Sequence, residues 1–286
     1  MSAVAGNPYL PKPVTINAIT VENDAGDLKS FKLAFVDKAD ANAFRHECGQ
    51  FAMLSVPGAG EIPIGIASSP LDEGYVMFTV KRYPTGVVTT ALHDLGEGAR
   101  IGLRGPYGNA FPMEQLKGKD IVVVGGGFAF TTLRATIRYM LDPRMRSSYG
   151  KITLIYGARS PGELLYKPEL AEWAARGDVE VHITVDKGED GWKGRVGVVP
   201  GVVAQVAPSA ANAVALVCGP PIMLHYAMPP LLQLGFAPEN IITSLERKMS
   251  CGVGKCGRCG VGSKYVCKDG PVFTFAQIQA MPENVC

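Results

Sequence analysis

Between Ile121 and Ser244 the chain repeats one pattern: a short run of aliphatic residues, a turn, then a segment with helical spacing. The apolar runs are Ile121 to Val124, Ile152 to Tyr156, Val179 to Val185, Ala213 to Val217 and Ile241 to Ser244. The intervening segments are read as helices over Thr131 to Leu141, Pro168 to Ala175, Val198 to Val206 and Ile222 to Leu234, the last disturbed by Pro229 and Pro230. Strands that alternate with helices imply a parallel, doubly wound sheet. Ligands in such sheets bind beyond the carboxyl ends of the strands. Here those ends carry Gly125-Gly126-Gly127, Gly157-Ala158-Arg159, Asp186, Cys218-Gly219-Pro220-Pro221 and Glu246.

Upstream the rhythm is different. "VTINAITVEN", "DLKSFKLAFV", "GQFAMLSVPG", "EIPIGIASSP" and "GYVMFTVKRY" alternate apolar and polar residues or are rich in Val, Ile, Thr and Phe, bounded mostly by Gly, Pro or Asp. They predict a small antiparallel barrel or sandwich. The expected division is residues 1–115 for the barrel, 116–245 for the α/β domain and 246–286 for a C-terminal segment.

That segment holds Cys251, Cys256, Cys259 and Cys267 in "CGVGKCGRCGVGSKYVC", with spacing C-x4-C-x2-C-x7-C. Seven cysteines is an odd count, and their clustering in one loop suits a metal better than disulfides. The spacing matches plant-type [2Fe-2S] ligation, in which a tight glycine-rich loop turns backbone N–H groups toward the sulfurs. Zinc is the alternative, but tetrahedral thiolate sites usually come as two C-x2-C pairs and only one is present. Lys255, Arg258 and Lys264 either stabilise an anionic cluster or are solvated loop charges.

The formal net charge is only +2, with the basic residues dispersed outside the cysteine loop, so no nucleic-acid partner is expected. The chain shows no apolar leader and no run of about 18 apolar residues, which predicts no membrane span and a cytoplasmic location. His46, His93, His182 and His225 lie outside any motif and read as surface or packing residues, although His93 stands close enough to the Thr89 turn to touch a bound phosphate.

"IVVVGGGFAFTTLR" sets three glycines between a strand and a helix, which suits either a pyrophosphate or simply a tight turn. "VKRYPTGVVTT" offers Arg82 and Tyr83 followed by Gly86, Val87, Val88 and Thr89 at the start of a short helix. Backbone N–H groups there suit a phosphate, and Tyr83 or Phe111 an aromatic ring.

The ordered series "PIGIASSP", "GVVTTALHDL", "RGPYGNAFP", "VGGGFAFTTLR", "YGAR", "LVCGPPIM" and "SLERKMSCGVGKCGRC…KYVCKDGPVF" resembles the ferredoxin-NADP reductase superfamily. Within it the likeness is to the iron-sulfur branch: the gamma (FAD/[2Fe-2S]) subunit of cytosolic sulfhydrogenase and the corresponding subunit of anaerobic sulfite reductase, with the electron-transfer subunit of dihydroorotate dehydrogenase further off. The resemblance implies a flavin-binding β-barrel, an NAD(P)-binding domain and a C-terminal [2Fe-2S] segment. Pro63, Ile64, Gly65 and Ile66 would line the isoalloxazine of FAD, and Gly86, Val87, Val88 and Thr89 would hold its pyrophosphate. Gly126 and Gly127 would face the dinucleotide, Arg159 its adenosine ribose, and Cys218, as the catalytic group, with Gly219 and Pro220 the nicotinamide. The chain departs from the superfamily at Ile62-Pro63-Ile64-Gly65, where Arg-x-Tyr-Ser is usual, and at Ala129 and Thr132, where glycine and proline are usual.

The implied function is electron transfer between NAD(P)(H), FAD and a [2Fe-2S] cluster, to or from iron-sulfur and catalytic subunits of a larger complex such as a hydrogenase or sulfite reductase. Two alternatives compete: a flavin and cluster relay that no longer binds nicotinamide nucleotide, and a zinc-stabilised interaction module. Exposed loop cations and the final "AQIQAMPENVC" are expected to dock a partner, with Cys286 a tail residue.

Overall fold

A computed structural model describes residues 7–282, so Cys286 and the end of the docking stretch lie outside the described residues. The first unit comprises β1 (Lys12–Val21), β2 (Leu28–Phe35), α1 (Lys38–Ala43), β3 (Phe51–Val56), β4 (Gly60–Gly65), β5 (Val76–Lys81), α2 (Val87–His93) and β6 (Arg100–Tyr107). Its six strands run in the order β4-β3-β6-β1-β2-β5, all antiparallel. An Ile66–Phe78 bridge and the 2.8 Å bond from Ala67 N to Met77 O join the two edges and close the barrel. Alternate residues face inward, so Val14, Ile16, Phe31, Leu33, Leu54 and Phe78 form one core.

Sequence reading did not foresee β6 as a strand, although it lies between β3 and β1 at the centre of the sheet. Gly102, Gly105 and Pro106 interrupt its apolar alternation, and the register against β3 shifts between Phe51 and Met53.

The second unit runs β7 (Asp120–Gly126), α3 (Phe130–Leu141), β8 (Ile152–Ala158), α4 (Lys167–Ala174), β9 (Val179–Val185), β10 (Arg195–Val196), α5 (Val199–Val206), β11 (Ala213–Cys218), α6 (Pro221–Gln233) and β12 (Ile241–Ser244). The sheet order is β10-β9-β8-β7-β11-β12, all parallel, with α3 and α4 packed on one face and α5 and α6 on the other. α6 continues through Pro229 and Pro230. Their missing N–H groups free the carbonyls of His225 and Tyr226, which lie on the exposed face where water can serve them.

The C-terminal segment contributes β13 (Gly260–Val261), β14 (Lys264–Tyr265), α7 (Val266–Asp269), β15 (Val272–Thr274) and α8 (Phe275–Gln279). It is not an appendage. β15 pairs antiparallel with β12 as the seventh strand of the α/β sheet, while Val261, Val266 and Phe273 pack against Phe51, Met53 and Tyr107 of the barrel. Asn109 fastens the junction: its Nδ2 donates to Val272 O at 2.8 Å and its Oδ1 accepts from Val272 N at 2.9 Å.

Barrel and α/β domain are also joined by a buried polar network. Arg134 Nη1 donates to Ala67 O at 2.6 Å, its Nε donates to Glu169 at 2.7 Å, and its Nη2 also meets Glu169. Arg138 links the same Glu169 to Asp72 of the barrel at 2.9 Å. The Tyr166 hydroxyl lies 2.6 Å from Thr79 Oγ1, which lies 2.7 Å from Ser30 Oγ. These pairs fix the angle at which the two units meet.

Candidate functional site

At the meeting of all three units lies a cavity of about 310 Å³. Barrel strand β4 supplies Ile62, Pro63, Ile64 and Gly65; the start of α3 supplies Phe128, Thr131 and Thr132; Ser244 to Arg247 and Met249 come from the exit of β12. Tyr83 and Thr89 border the same space. Thus Pro63, Ile64, Gly65, Tyr83 and Thr89 stand together as expected. Gly65 lets the two domains approach closely, because a Cβ there would lie 3.2 Å from Thr132 Oγ1 and the hydroxyl would have to give way by a few tenths of an ångström. Both of these residues are departures from the superfamily pattern, and the structure brings them face to face.

Two expectations are corrected, at Ile66 and Phe111. Ile66 does not border the cavity: it is 1% exposed in the barrel core, where closure against Phe78 turns it inward. Phe111 is unavailable for ring stacking, being buried beneath Gly49, whose φ of +95° and lack of a Cβ make room for it. His93 is the packing residue that its lack of a motif suggested, buried with its Nε2 2.9 Å from Val80 O rather than turned toward a phosphate. Arg82 is outside the cavity lining, half-exposed and 3.6 Å from the exposed Asp94. Gly86 caps α2, Val87 stands exposed and Val88 packs on the barrel.

The sheet order places its switch point between β7 and β11, with Cys218 paired to Gly125 in register. Gly126, Gly127, Gly219 and Pro220 therefore share one crevice. The glycines answer to different demands. Gly127 adopts φ +53° beside open space, whereas a Cβ on Gly126 would meet Met223 Sδ at 2.2 Å and one on Gly219 would meet Met223 Cε at 2.2 Å. The thioether of Met223 fills the floor of the crevice, and both glycines accommodate it. Sequence reading quoted Met223 within "LVCGPPIM" without assigning it a role.

Cys218, expected as a catalytic group, ends β11 with only 1% exposure, and burial pushes its thiol up to about 12. It is a neutral packing group, withdrawn from the cavity. Arg159 and Asp186 stand exposed at neighbouring strand ends, where Asp186 N donates to Ala158 O at 2.9 Å and Lys187 N to Arg159 O at 3.0 Å. Glu246 is exposed at the rim of the cavity, where neighbouring protein partly desolvates the carboxyl and raises its pKa above the usual 4.5.

The cysteine loop follows directly from the cavity wall, Met249 lying two residues before Cys251. Its thiols fall into two pairs. Cys256 N donates to Cys251 Sγ at 3.4 Å, and Cys267 N donates to Cys259 Sγ at 3.4 Å. Further N–H groups from Val253 and Lys255 point at Cys251 Sγ at 3.4 and 3.3 Å, and Gly254 N reaches Cys267 Sγ at 3.1 Å. Burial opposes ionisation of Cys251, but these donors outweigh it and hold the thiol at about 6. At Cys267 burial and the Cys259 thiol dominate and push it up to about 12.

Among the described residues no three His, Cys, Asp or Glu side chains converge on a single-ion position. Two thiol pairs with N–H groups turned toward the sulfurs fit a two-iron cluster, whose thiolates are shared between two metals, better than one tetrahedral ion. Gly252, at φ +75°, lets the loop approach Tyr107 and Met53, since a Cβ there would lie 3.2 Å from the tyrosine ring. Phe51 is common to both places: it lines the cavity and packs in the same apolar cluster as Cys259 and Cys267.

One residue that sequence reading overlooked ties barrel to loop. Arg104 of β6 is 4% exposed, pairs with Glu61 at 2.7 Å, and donates through Nη1 to the carbonyl of Cys251 at 2.7 Å. A lone arginine before "GPYGNAF" carries no signal of such a contact, because its partner lies 147 residues downstream.

Comparison with known proteins follows the same tripartite division. Residues 18–111 match the oxidoreductase FAD-binding domain, 123–228 the oxidoreductase NAD-binding domain, and 246–279 the iron-sulfur cluster binding domain of dihydroorotate dehydrogenase B. The chain is 37% identical to sulfhydrogenase 1 subunit gamma of Pyrococcus furiosus over 261 residues, covering 89% of this chain and 88% of the relative. It is 35% identical to a probable dihydroorotate dehydrogenase B (NAD(+)) electron transfer subunit of Thermococcus kodakarensis, covering 79% and 83%. The fold also matches an NADH-dependent reduced ferredoxin-NADP oxidoreductase at TM-score 0.72 and 24% identity, covering 96% of this chain and 90% of that one. It matches a ferredoxin NADP+ reductase from Neisseria gonorrhoeae at TM-score 0.66 and 17% identity, covering 81% and 96%. With relatives of more than one-third identity aligned along most of its length, the chain belongs to the family of sulfhydrogenase gamma and dihydroorotate dehydrogenase B electron-transfer subunits, oxidoreductases that combine FAD-, NAD- and iron-sulfur-binding domains.

Proposed function

We propose that this chain is the electron-transfer subunit of a larger redox complex, exchanging reducing equivalents between NAD(P)(H) and a partner subunit by way of FAD and a [2Fe-2S] cluster. The carrying observation is Phe51, a single side chain that walls the cavity on one side and packs with two cluster-loop cysteines on the other. When bound, the nicotinamide and flavin supply hydride chemistry and the cluster one-electron chemistry.

The chain's own residues position and seclude these groups. Pro63, Ile64 and Gly65 provide an apolar wall for the flavin ring in place of a stacked tyrosine, and Tyr83 with the Gly86, Val88 and Thr89 stretch leads toward its diphosphate. Gly127, Gly219 and Pro220 frame the nicotinamide crevice, Gly126 and Met223 form its floor, and Arg159 stands at the adenosine end. Cys218 contributes bulk and apolarity behind the crevice. Cys251, Cys256, Cys259 and Cys267 hold the two irons, with Cys256 on the exposed side where a partner approaches. The partner classes that suit this arrangement are an iron-sulfur protein and the catalytic subunit of a hydrogenase or similar complex, as the names of the relatives suggest. No helix among the described residues is long and apolar enough to cross a membrane.

Anaerobic titration of the full chain with NADH and with NADPH, following flavin and cluster bands together, tests the proposal. Bleaching of both by at least one nucleotide is expected; bleaching by dithionite alone would instead identify a relay without nucleotide binding. Cys256→Ser is expected to abolish the cluster's absorbance while flavin reduction by NAD(P)H persists. Loss of flavin reduction as well would reverse the assumed order of carriers.

A further inference from the structure

We propose that Arg104 is the positioning residue that sets the cluster loop on the flavin barrel and raises the cluster's affinity for an electron. The proposal rests on the reading of Cys251 as a cluster ligand. Arg104 lies on β6 opposite Met53, whose side chain belongs to the apolar cluster shared by barrel and loop. Its guanidinium is divided between two tasks. Nε reaches Glu61 Oε1 at 2.9 Å and Oε2 at 3.1 Å, and Nη2 reaches Oε2 at 2.7 Å. Nη1 donates to Cys251 O at 2.7 Å, with Ser250 O at 3.4 Å from Nη2. The Tyr107 and Tyr9 rings stand 5.6 and 5.9 Å from the guanidinium carbon and shield it from water.

Stability alone does not call for this arrangement. A guanidinium at 4% exposure is strongly desolvated, and a hydrocarbon of similar volume would join β6 to the loop without that penalty. What a hydrocarbon cannot do is hold a carbonyl. With Cys251 O turned toward Arg104, the N–H groups of Val253, Lys255 and Cys256 are left facing Cys251 Sγ. Glu61 immediately precedes the β4 residues that line the cavity, so the series Cys251, Arg104, Glu61 ties the first ligand to the flavin wall by two charge-assisted contacts. A cation bonded to the carbonyl of a ligand residue would also favour the more negative, reduced form of the cluster. Lysine would preserve the charge, but one ammonium cannot reproduce the fork that serves Glu61 and Cys251 together.

The test uses the full chain as wild type, Arg104→Met and Arg104→Lys, with two readings. The first is an equilibrium redox titration of the cluster with its electron paramagnetic resonance spectrum. The second is trypsin cleavage after Lys255 and Arg258 in iron-free protein, which reports loop release without any cofactor. Arg104→Met is expected to make the cluster about tenfold harder to reduce, 59 mV for a one-electron couple, to shift its resonance spectrum, and to speed loop cleavage about tenfold. Arg104→Lys is expected to keep the wild-type potential within about threefold while its loop is cleaved as fast as in Arg104→Met. A wild-type potential in Arg104→Met, or wild-type cleavage in both variants, overturns the proposal. If Arg104→Met fails to take up iron, Arg104→Lys and the cleavage rates decide. Absence of iron from the wild-type chain would instead sink the cluster assignment itself.

Discussion

Replacing Arg134 by methionine probes what holds the NAD-binding domain at its working angle to the barrel. The guanidinium side chain is 5% exposed and Glu169 19% exposed, so the pair sits largely out of water. Breaking a buried pair by removing one partner costs about 3–5 kcal/mol. Here Arg138 still stands 3.3 Å from Glu169 and keeps part of its charge compensated, which places the pair at the low end of that range. The loss also strips the donor from Ala67 O, a buried acceptor, at a further cost of about 1 kcal/mol, so a total of about 4 kcal/mol is expected. At about 2–3 °C per kcal/mol for a chain of this size, the melting temperature falls by about 8–12 °C. The assay is thermal unfolding by circular dichroism of the single variants Arg134→Met and Glu169→Leu and the double variant. Since both single variants break the same pair, the double variant should fall short of their sum by at least about 1 kcal/mol. Strict additivity, or a shift below about 2 °C in Arg134→Met, would show that Glu169 does not hold Arg134 in place for its contact across the boundary to Ala67 O.

Two further perturbations follow. Gly126→Ala puts a Cβ against Met223 Sδ and forces the thioether into the crevice between β7 and β11 proposed for the nicotinamide; the overpacking, about 1–3 kcal/mol, should slow flavin reduction by NAD(P)H about tenfold and leave reduction by dithionite unchanged, as stopped-flow absorbance would show. Glu246 is an exposed acid on the cavity rim whose folded pKa is raised by partial desolvation, so the folded state retains a proton that the unfolded state releases near pH 4.5, and stability falls as pH rises from there through the folded pKa. Urea unfolding of Glu246→Gln across pH 4–8 should lack that fall, and parallel curves for wild type and variant would refute the assignment.

Much of this protein is legible in its residue order because local physics suffices to specify it. The predicted strand Val179–Val185 and the strand Ile241–Ser244 are observed with those bounds, and α3 to α6 begin and end within a residue of the expected helices. Aliphatic runs capped by glycine or proline leave few other solutions, and a parallel sheet necessarily gathers their carboxyl ends at one edge. Thiol spacing is equally local, since glycines around Cys251, Cys256 and Cys259 permit a loop that turns its N–H groups inward.

What tertiary structure alone decided concerns contacts between residues far apart in the chain. Nothing near Arg104 indicates that its charge is shared between Glu61 and the carbonyl of Cys251. Nor does a glycine triplet reveal that Gly126 and Gly219 both yield to Met223, or that Gly65 and Thr132 meet across a domain boundary. Cys218 and Ile66 carried expected roles by position, yet packing withdrew both from the cavity. Backbone periodicity determines which elements form and which way they point, but the pairing of one element's side chain with another's depends on how the domains close on each other. That closure is set by contacts whose members lie tens to more than a hundred residues apart, such as Arg134 with Ala67, Arg138 with Asp72 and Arg104 with Cys251, and no local pattern records them.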